Sequence, residues 1–101
     1  MKVRLTSKAK LHARNEREWW SKNRDAKQLF SQELRAVRKE LAHAPKLQVY
    51  EEIDGRVVRK LLMKKTHHTI YYWISDATQV VWIMALWGQC RGEEPELGEP
   101  T

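Results

Sequence analysis

The residues with usable chemistry are concentrated between positions 56 and 72. Five cations come first and two adjacent histidines follow: Arg56, Arg59, Lys60, Lys64, Lys65, His67 and His68. A row of cations can bind phosphates or an acidic protein surface. An imidazole can act as a general acid or base near neutral pH. The stretch therefore indicates either a surface for an anionic partner or a site of proton transfer.

Two side chains extend this set. Tyr71 carries a phenol that can stack or donate a hydrogen bond, and Arg91 follows the last apolar run. Since Tyr71 and Tyr72 alternate along a strand, at most one is expected to pack inside. The candidates for catalysis are Arg59, Lys65, His67, His68 and Arg91. The candidates for target binding are Arg56, Arg59, Lys60, Lys64, Lys65, Tyr71 and Arg91.

Each of these signals also has an ordinary structural explanation. Histidines in a hairpin turn are usually just solvated. Charge on an edge strand commonly serves to prevent aggregation, so the run from Arg56 to Lys65 is also typical of a solvated sheet edge.

Three predicted strands position these side chains. The apolar patterns and turn signals predict strands over Arg56–Met63, His67–Ser75 and Gln79–Trp87, joined by short turns at 64–65 and 76–78. Short connections make such neighbours antiparallel. The third strand is apolar at every position from Val80 to Trp87, so both of its faces should be buried and it should be the covered centre of the sheet.

The N-terminal half predicts one strand and a pair of helices. Lys2–Thr6 alternates like a strand with one buried face. Ser7 is expected to cap a first helix that buries Ala9, Ala13 and Trp20. Trp19 and Trp20 are adjacent, so only one of them is expected in the core.

A second helix follows after a short break. Asp25 and Gln28 have the spacing of a capping box. Its apolar stripe is predicted to comprise Ala26, Phe30, Leu34, Val37 and Leu41. Pro45 should end the helix, and residues 46–55 are predicted to form a loop with a turn at Asp54-Gly55.

Composition limits the class of protein. The 101 residues predict one domain over 1–92, followed by an acidic, flexible segment over 93–101. The formal charge is +6, but residues 1–87 carry +9 and the remainder −3. A single cysteine, Cys90, and the absence of a signal peptide or membrane span predict a cytoplasmic protein. Histidine and cysteine spacings give no metal site, and no cofactor is expected.

The order of these elements resembles the RelE/ParE superfamily of toxins from bacterial type II toxin-antitoxin systems. The resemblance rests on the run 58–62, on Thr69-Ile70-Tyr71-Tyr72, on Trp82–Trp87 and on the tail Arg91-Gly92-x-x-Pro95-x-Leu97. It implies an α+β fold in which an N-terminal strand and a two-helix hairpin pack on a small antiparallel sheet, in the order β-α-α-β-β-β.

The resemblance implies a growth-inhibiting toxin, of the kind that stabilises plasmids, neutralised by a cognate antitoxin in a hetero-oligomer. Antitoxin-binding residues are expected at Trp19, Trp20 and Phe30. RelE-like members are ribosome-dependent ribonucleases that cut mRNA, with a proton-transfer Tyr or His near the C-terminus. Here the position after the last apolar strand is Gly88, and Thr69 stands where an Arg is expected.

These departures favour the ParE-like branch, whose members bind DNA gyrase and break no bond. The ribonuclease remains the alternative, and a basic nucleic-acid-binding module is a third interpretation.

Overall fold

A computed structural model describes residues 1–47 and 50–88, and within them the architecture is α+β, as predicted. Two helices and five strands occur in the order β1 (Lys2–Leu5), α1 (Ser7–Asn23), α2 (Leu29–His43), β2 (Tyr50–Ile53), β3 (Arg56–Met63), β4 (His68–Ser75) and β5 (Val80–Gly88), with a 3-10 turn at Pro45–Leu47. The predictions for Cys90, Arg91 and the acidic segment 93–101 lie outside the described residues.

The five strands form one mixed sheet in the order β1-β5-β4-β3-β2. β3, β4 and β5 are an antiparallel meander, as predicted. β1, however, runs parallel to β5, with Lys2 opposite Val80 and Leu5 opposite Ile83. The prediction of an antiparallel sheet was therefore wrong for this pair. A parallel pair requires a long connection in the sequence. Here the chain between β1 and β5 includes both helices.

The strand β2 lies within the range 46–55, where the sequence predicted a loop. β2 pairs with β3 from Tyr50 opposite Arg59 to Ile53 opposite Arg56. Asp54 and Gly55 have φ values of 52° and 75°. Two consecutive positive φ values are what a two-residue hairpin turn requires, which explains the Asp-Gly pair. Because β2 covers the first half of β3, the basic strand is not the sheet edge over residues 56–59.

β5 lies inside the sheet, between β1 and β4. Val80, Val81, Ile83, Met84, Ala85 and Leu86 are all buried, and the two tryptophans of the strand are half-buried. The strand is covered, as predicted, but its predicted central position was wrong, because β4 is the middle strand and β5 lies next to the edge strand β1. Burying a large apolar side chain is worth about 1.5–3 kcal/mol, so this strand holds much of the hydrophobic stabilisation.

The first helix also covers the edge of β5 where β1 ends. Thr6 Oγ1 donates to the Met84 carbonyl at 3.3 Å, and the Leu86 amide donates to His12 Nδ1 at 3.3 Å. A ring nitrogen that accepts a hydrogen bond carries no proton, so the proton of a neutral His12 lies on Nε2. Side chains of α1 thus take over the pairing that a longer β1 would have supplied.

The helix hairpin packs on one face of the sheet. Phe30, Leu34, Val37 and Leu41 form the buried stripe of α2, as predicted. Ala26 lies before the helix and is exposed, which corrects its predicted place in that stripe.

Both predicted helix caps were wrong. Thr6, not Ser7, caps α1, since its Oγ1 accepts from the Ala9 amide at 3.2 Å. α2 begins at Leu29 with no side-chain cap, so Asp25 and Gln28 form no capping box.

The Trp20 indole donates to the Ala26 carbonyl at 2.8 Å, which fixes the connection between α1 and α2 as a turn. α2 does end just before Pro45, as predicted.

Tyr71 and Tyr72 are both buried, on opposite faces of the sheet. The expectation that at most one would pack inside was wrong, because the face away from the helices has a small hydrophobic cluster of its own. In it Tyr71 packs with Val58 and Ala85, and with the half-buried Trp87. Tyr72 lies in the main core, and its hydroxyl donates to the Pro45 carbonyl at 2.6 Å.

The burial of Tyr72 predicts a loss of stability at high pH. Burial raises the pKa of Tyr72 from its ordinary value of 10.0 to about 12; the Arg59 charge lowers it and the Glu40 charge raises it. The neutral phenol is favoured by folding, so its contribution is complete below pH 10 and is lost as the pH rises to 12. The loss by pH 12 should be roughly 2 kcal/mol.

Urea unfolding of the protein and of Tyr72→Phe between pH 9 and 12 would measure this effect. The variant has no phenol to ionise, so its stability should fall less steeply over that range. Equal slopes for the two proteins would contradict the assignment.

Candidate functional site

Arg56 and Lys60 lie on the face of the sheet away from the helices. The guanidinium of Arg56 is 5.3 Å from the centre of the Trp73 ring, and Lys60 Nζ is 5.7 Å from that of Tyr71. Lys60 also pairs with Glu51 on β2 at 3.2 Å. These two cations are thus held against aromatic rings, a geometry that presents fixed positive charge beside apolar surface.

Arg59 points to the opposite face. Its Nη1 donates to the Lys46 carbonyl at 3.2 Å, close to the core residue Tyr72. The guanidinium therefore stabilises the connection that follows α2. The sequence grouped it with Arg56 and Lys60, but the pleat of β3 separates it from them.

Lys64 and Lys65 lie at the turn between β3 and β4, at the far end of β3 from Arg56. The strand β3 takes seven residue steps from Arg56 to its end, and these steps span roughly 23 Å. Both lysines are exposed, as is the neighbouring His67, whose φ is 60°. The predicted cationic residues therefore form two separate groups, one on the sheet face and one at this turn.

A carboxylate of α2 fixes that turn. Glu33 Oε2 accepts from the Lys65 amide at 2.7 Å, and Oε1 accepts from the amide and the hydroxyl of Thr66 at 2.9 Å and 2.7 Å. Hydrogen bonds to an ionised acceptor are about twice as strong as neutral ones. Glu33 thus holds the backbone that carries both lysines in one conformation.

His68 is buried between the helices and the sheet, with only 3% of its surface exposed. Its Nε2 is 3.0 Å from Glu16 Oε2 on α1, and its Nδ1 is 3.0 Å from Thr66 Oγ1. The ring packs edge-on to Phe30, with centroids 4.9 Å apart, and lies 6.2 Å from Trp20. The imidazole is thus part of the core, whereas His67 beside it is solvated.

The hydrogen bonds constrain where the protons lie. The Thr66 hydroxyl proton is directed to Glu33, so its oxygen accepts from the N–H at His68 Nδ1. The other ring nitrogen, Nε2, faces Glu16 Oε2 at 3.0 Å. Glu16, His68, Thr66 and Glu33, which we term the buried polar chain, thereby connect both helices to the start of β4.

Sequence reasoning missed the two carboxylates of this chain. Glu16 falls on the buried stripe of α1, with Ala9, Ala13 and Trp20. A charged residue at a core position is rarely buried unless it is paired, so the signal for Glu16 was its place in the stripe. Glu33 has no comparable signal, because its partner is a backbone turn.

Two of the three residues expected to bind an antitoxin belong to the core. Phe30 is fully buried and Trp20 is 9% exposed. Trp19 is 44% exposed, and the Arg24 guanidinium lies 5.3 Å from its ring centre. Of the adjacent tryptophans one packs inside and one faces out, as the sequence predicts, which leaves Trp19 as the accessible aromatic anchor.

The candidates for catalysis do not converge among the described residues. His68 lies inside the core, Arg59 lies beside the connection after α2, and Lys65 and His67 lie at the turn. No three His, Cys, Asp or Glu side chains in the described ranges are placed to hold a metal ion. Neither α1 nor α2 is long and apolar enough to cross a membrane.

No protein-family model matches the sequence, and comparison with curated proteins also gives no match.

The buried polar chain predicts a sharp difference between two glutamates of α1. Glu16→Ala leaves the buried Nε2 of His68 without its hydrogen-bond partner, and an unsatisfied buried polar group costs about 1–3 kcal/mol. Glu18→Ala, two residues further along the same helix and exposed, should change stability by less than about 0.5 kcal/mol. Urea unfolding at pH 7 would compare them. Equal losses would show that the Glu16–His68 contact contributes little.

Proposed function

We propose that this protein is the toxin of a type II toxin-antitoxin system, of the ParE-like kind, and that it inhibits DNA gyrase by binding in the cytoplasm. The support is the sequence resemblance together with the order of elements. A strand, a helix hairpin and an antiparallel meander follow one another as the resemblance implies. The additional strand β2 and the parallel pairing of β1 depart from that scheme, but the predicted elements keep their order along the chain.

The observation that favours binding over RNA cleavage is the burial of His68. Transfer of a proton in RNA cleavage needs an acid or base within reach of the substrate. His68 is enclosed by Glu16, Thr66 and Phe30 and pairs in register with Gly88, the position where RelE-like relatives carry their histidine. A binding protein needs no such group.

The surface best placed to contact a target is the turn that carries Lys64 and Lys65. Both lysines are exposed, and Glu33 fixes the backbone of Lys65 and Thr66. A preformed cationic turn loses little conformational entropy on binding. We assign the first contact with gyrase to these two lysines.

This assignment predicts the outcome of two parallel assays. Purified protein should inhibit supercoiling by gyrase and leave mRNA intact in a translation reaction. Lys64→Ala with Lys65→Ala should weaken the inhibition about tenfold or more, because both charges of the turn are lost. His67→Ala, in the same turn, should have no effect.

The ribonuclease alternative predicts the reverse. Loss of mRNA only when ribosomes are present, abolished by His67→Ala, would overturn the gyrase assignment. Inhibition of neither reaction, with no effect on growth when the protein is expressed alone, would overturn the toxin assignment.

The proposed antitoxin should use Trp19 as an anchor. Its ring is exposed on α1, and aromatic anchors dominate many interfaces. Trp19→Ala should weaken the complex with the protein encoded next to this gene about tenfold or more. Leu11→Ala, which removes a similarly exposed apolar side chain from the same helix, is the control. Calorimetric titration would measure both, and equal affinities would exclude Trp19 from the interface.

A further inference from the structure

The face of the sheet away from the helices, which we term the outer face, is rich in aromatic side chains. Tyr71 and Trp87 belong to its hydrophobic cluster, which consists of strand residues alone in the described part of the chain. Alternation along β4 and β5 places Trp73 and Trp82, which are paired with one another, on the same face. Both described helices pack on the opposite side. An apolar surface rimmed by polar residues is typical of a docking site.

One polar atom on this face is buried without a partner. The indole Nε1 of Trp73 is a hydrogen-bond donor that is shielded from solvent and has no acceptor among residues 1–47 and 50–88. Nearly all buried donors in folded proteins are satisfied. A carboxylate or carbonyl oxygen that reaches the outer face from outside these ranges would satisfy this one.

The outer face is also positively charged. Four cations of the strands point to this side: Lys2, Arg4, Arg56 and Lys60. Glu51, which pairs with Lys60 from β2, is the one carboxylate that the described strands add to this face. A segment that covers the face should therefore carry negative charge.

The chain itself supplies such a segment. Residues 93–101 contain no Lys or Arg and four acidic side chains, Glu93, Glu94, Glu96 and Glu99. Leu97 adds one large apolar side chain to the segment. The described structure ends at Gly88, directly after Trp87 of the outer face. The segment therefore starts a few residues from the surface that its charge complements.

The length of the segment also matches the face. Trp87 is opposite Thr69, and Thr69 is opposite Leu62, so the end of β5 is level with Leu62 on β3. The side chain of Leu62 is 44% exposed, which offers a first apolar contact. Six residue steps separate Leu62 from Arg56 and span roughly 20 Å. Residues 93–99, if extended, span the same distance, and residues 89–92 are sufficient to reverse the chain.

We infer that the acidic segment 93–101 folds back over the outer face of its own chain and closes that face to other anions. In this arrangement glutamates pair with Arg56 and Lys60, and a guanidinium can hold a carboxylate in bidentate fashion. Leu97 covers aromatic surface, and an oxygen of the segment accepts from Trp73 Nε1. A tethered segment has an effective concentration in the millimolar range, so a free anion of the same chemistry competes poorly. The inference goes beyond the proposed function and does not rest on it.

Carbodiimide cross-linking of the full chain tests the docking directly, because it joins a carboxylate to an ammonium group in contact with it. Mass spectrometry of the digested protein should find the glutamates of the segment linked to Lys60 in preference to the more exposed Lys64 and Lys65. A mixture of isotope-labelled and unlabelled protein separates links within one chain from links between two. The links should lie within one chain.

Removing the charges of the segment should open the face. The tail variant carries four substitutions, Glu93→Gln, Glu94→Gln, Glu96→Gln and Glu99→Gln. Hydrogen exchange of the Trp73 indole N–H, followed by NMR, should be at least tenfold faster in it than in the unchanged protein. The control variant makes the same change in net charge at exposed positions elsewhere and should exchange within about threefold of the unchanged protein: Glu18→Gln, Asp25→Asn, Glu40→Gln and Glu52→Gln.

An octaglutamate peptide then measures whether the face has become available. It should bind the tail variant at least tenfold more tightly than it binds the unchanged protein or the control variant. Adding Arg56→Gln and Lys60→Gln to the tail variant should remove this gain. Adding Lys64→Gln and Lys65→Gln instead should preserve it, because these lysines lie at the turn and not on the outer face.

Three results would overturn the inference. The segment could be linked mainly to Lys64, Lys65 or the lysines of the helices. The links could join two different chains, which would make a second copy the partner of the segment. The Trp73 indole could exchange equally fast in the tail and control variants. A failure to inhibit gyrase would reject the proposed function and would leave all of these measurements unaffected.

Discussion

The contact between His68 and Glu16 is the interaction on which the rest of the structure depends. It joins α1 to the first residue of β4 at 3.0 Å, inside an otherwise apolar interface. Through Thr66 the same imidazole is linked to Glu33 on α2. One ring therefore ties both helices and the β3–β4 turn to the sheet. Each ring nitrogen of this imidazole has a hydrogen-bond partner. The buried polar chain therefore leaves no nitrogen of the ring unsatisfied.

This arrangement links stability to the proposed function. The carboxylate of Glu33 that completes the buried polar chain also fixes the backbone of Lys65 and Thr66, so the exposed lysines are presented by a rigid turn. The imidazole that could have served as an acid or base is used in the core. The same local sequence, Lys-Lys-Thr-His-His, thus supplies the proposed binding surface on one side and a structural bridge on the other.

Much of the fold is predictable from the sequence because hydrophobic periodicity is a strong local signal. The apolar run of β5 indicates an interior strand, and the spacing of Phe30, Leu34, Val37 and Leu41 gives the buried face of α2. β2 and the parallel pairing of β1 were not predictable in this way. A strand of four residues has little pattern of its own, and its pairing depends on a partner distant in sequence or on the turn that follows.

The candidate site was less predictable, since it depends on which face each side chain takes and on polar partners far along the chain. Arg59 shares a strand with Arg56 and Lys60 but points to the helix side, and Tyr71 is buried by a second cluster that local sequence does not reveal. Glu16 and His68 are separated by 52 positions. The position of Glu16 on an apolar stripe was the one sequence feature that indicated such a pair.

The most direct test of the account is the accessibility of the two adjacent imidazoles. Exchange of the ring C2 proton for deuterium can be followed for each histidine by mass spectrometry in the folded protein. We expect exchange at His67 to be close to that of an unfolded peptide and exchange at His68 to be slowed many-fold by the closed interface around it. Similar rates at the two positions would contradict the account, because His68 would then be open to solvent and free to take part in chemistry.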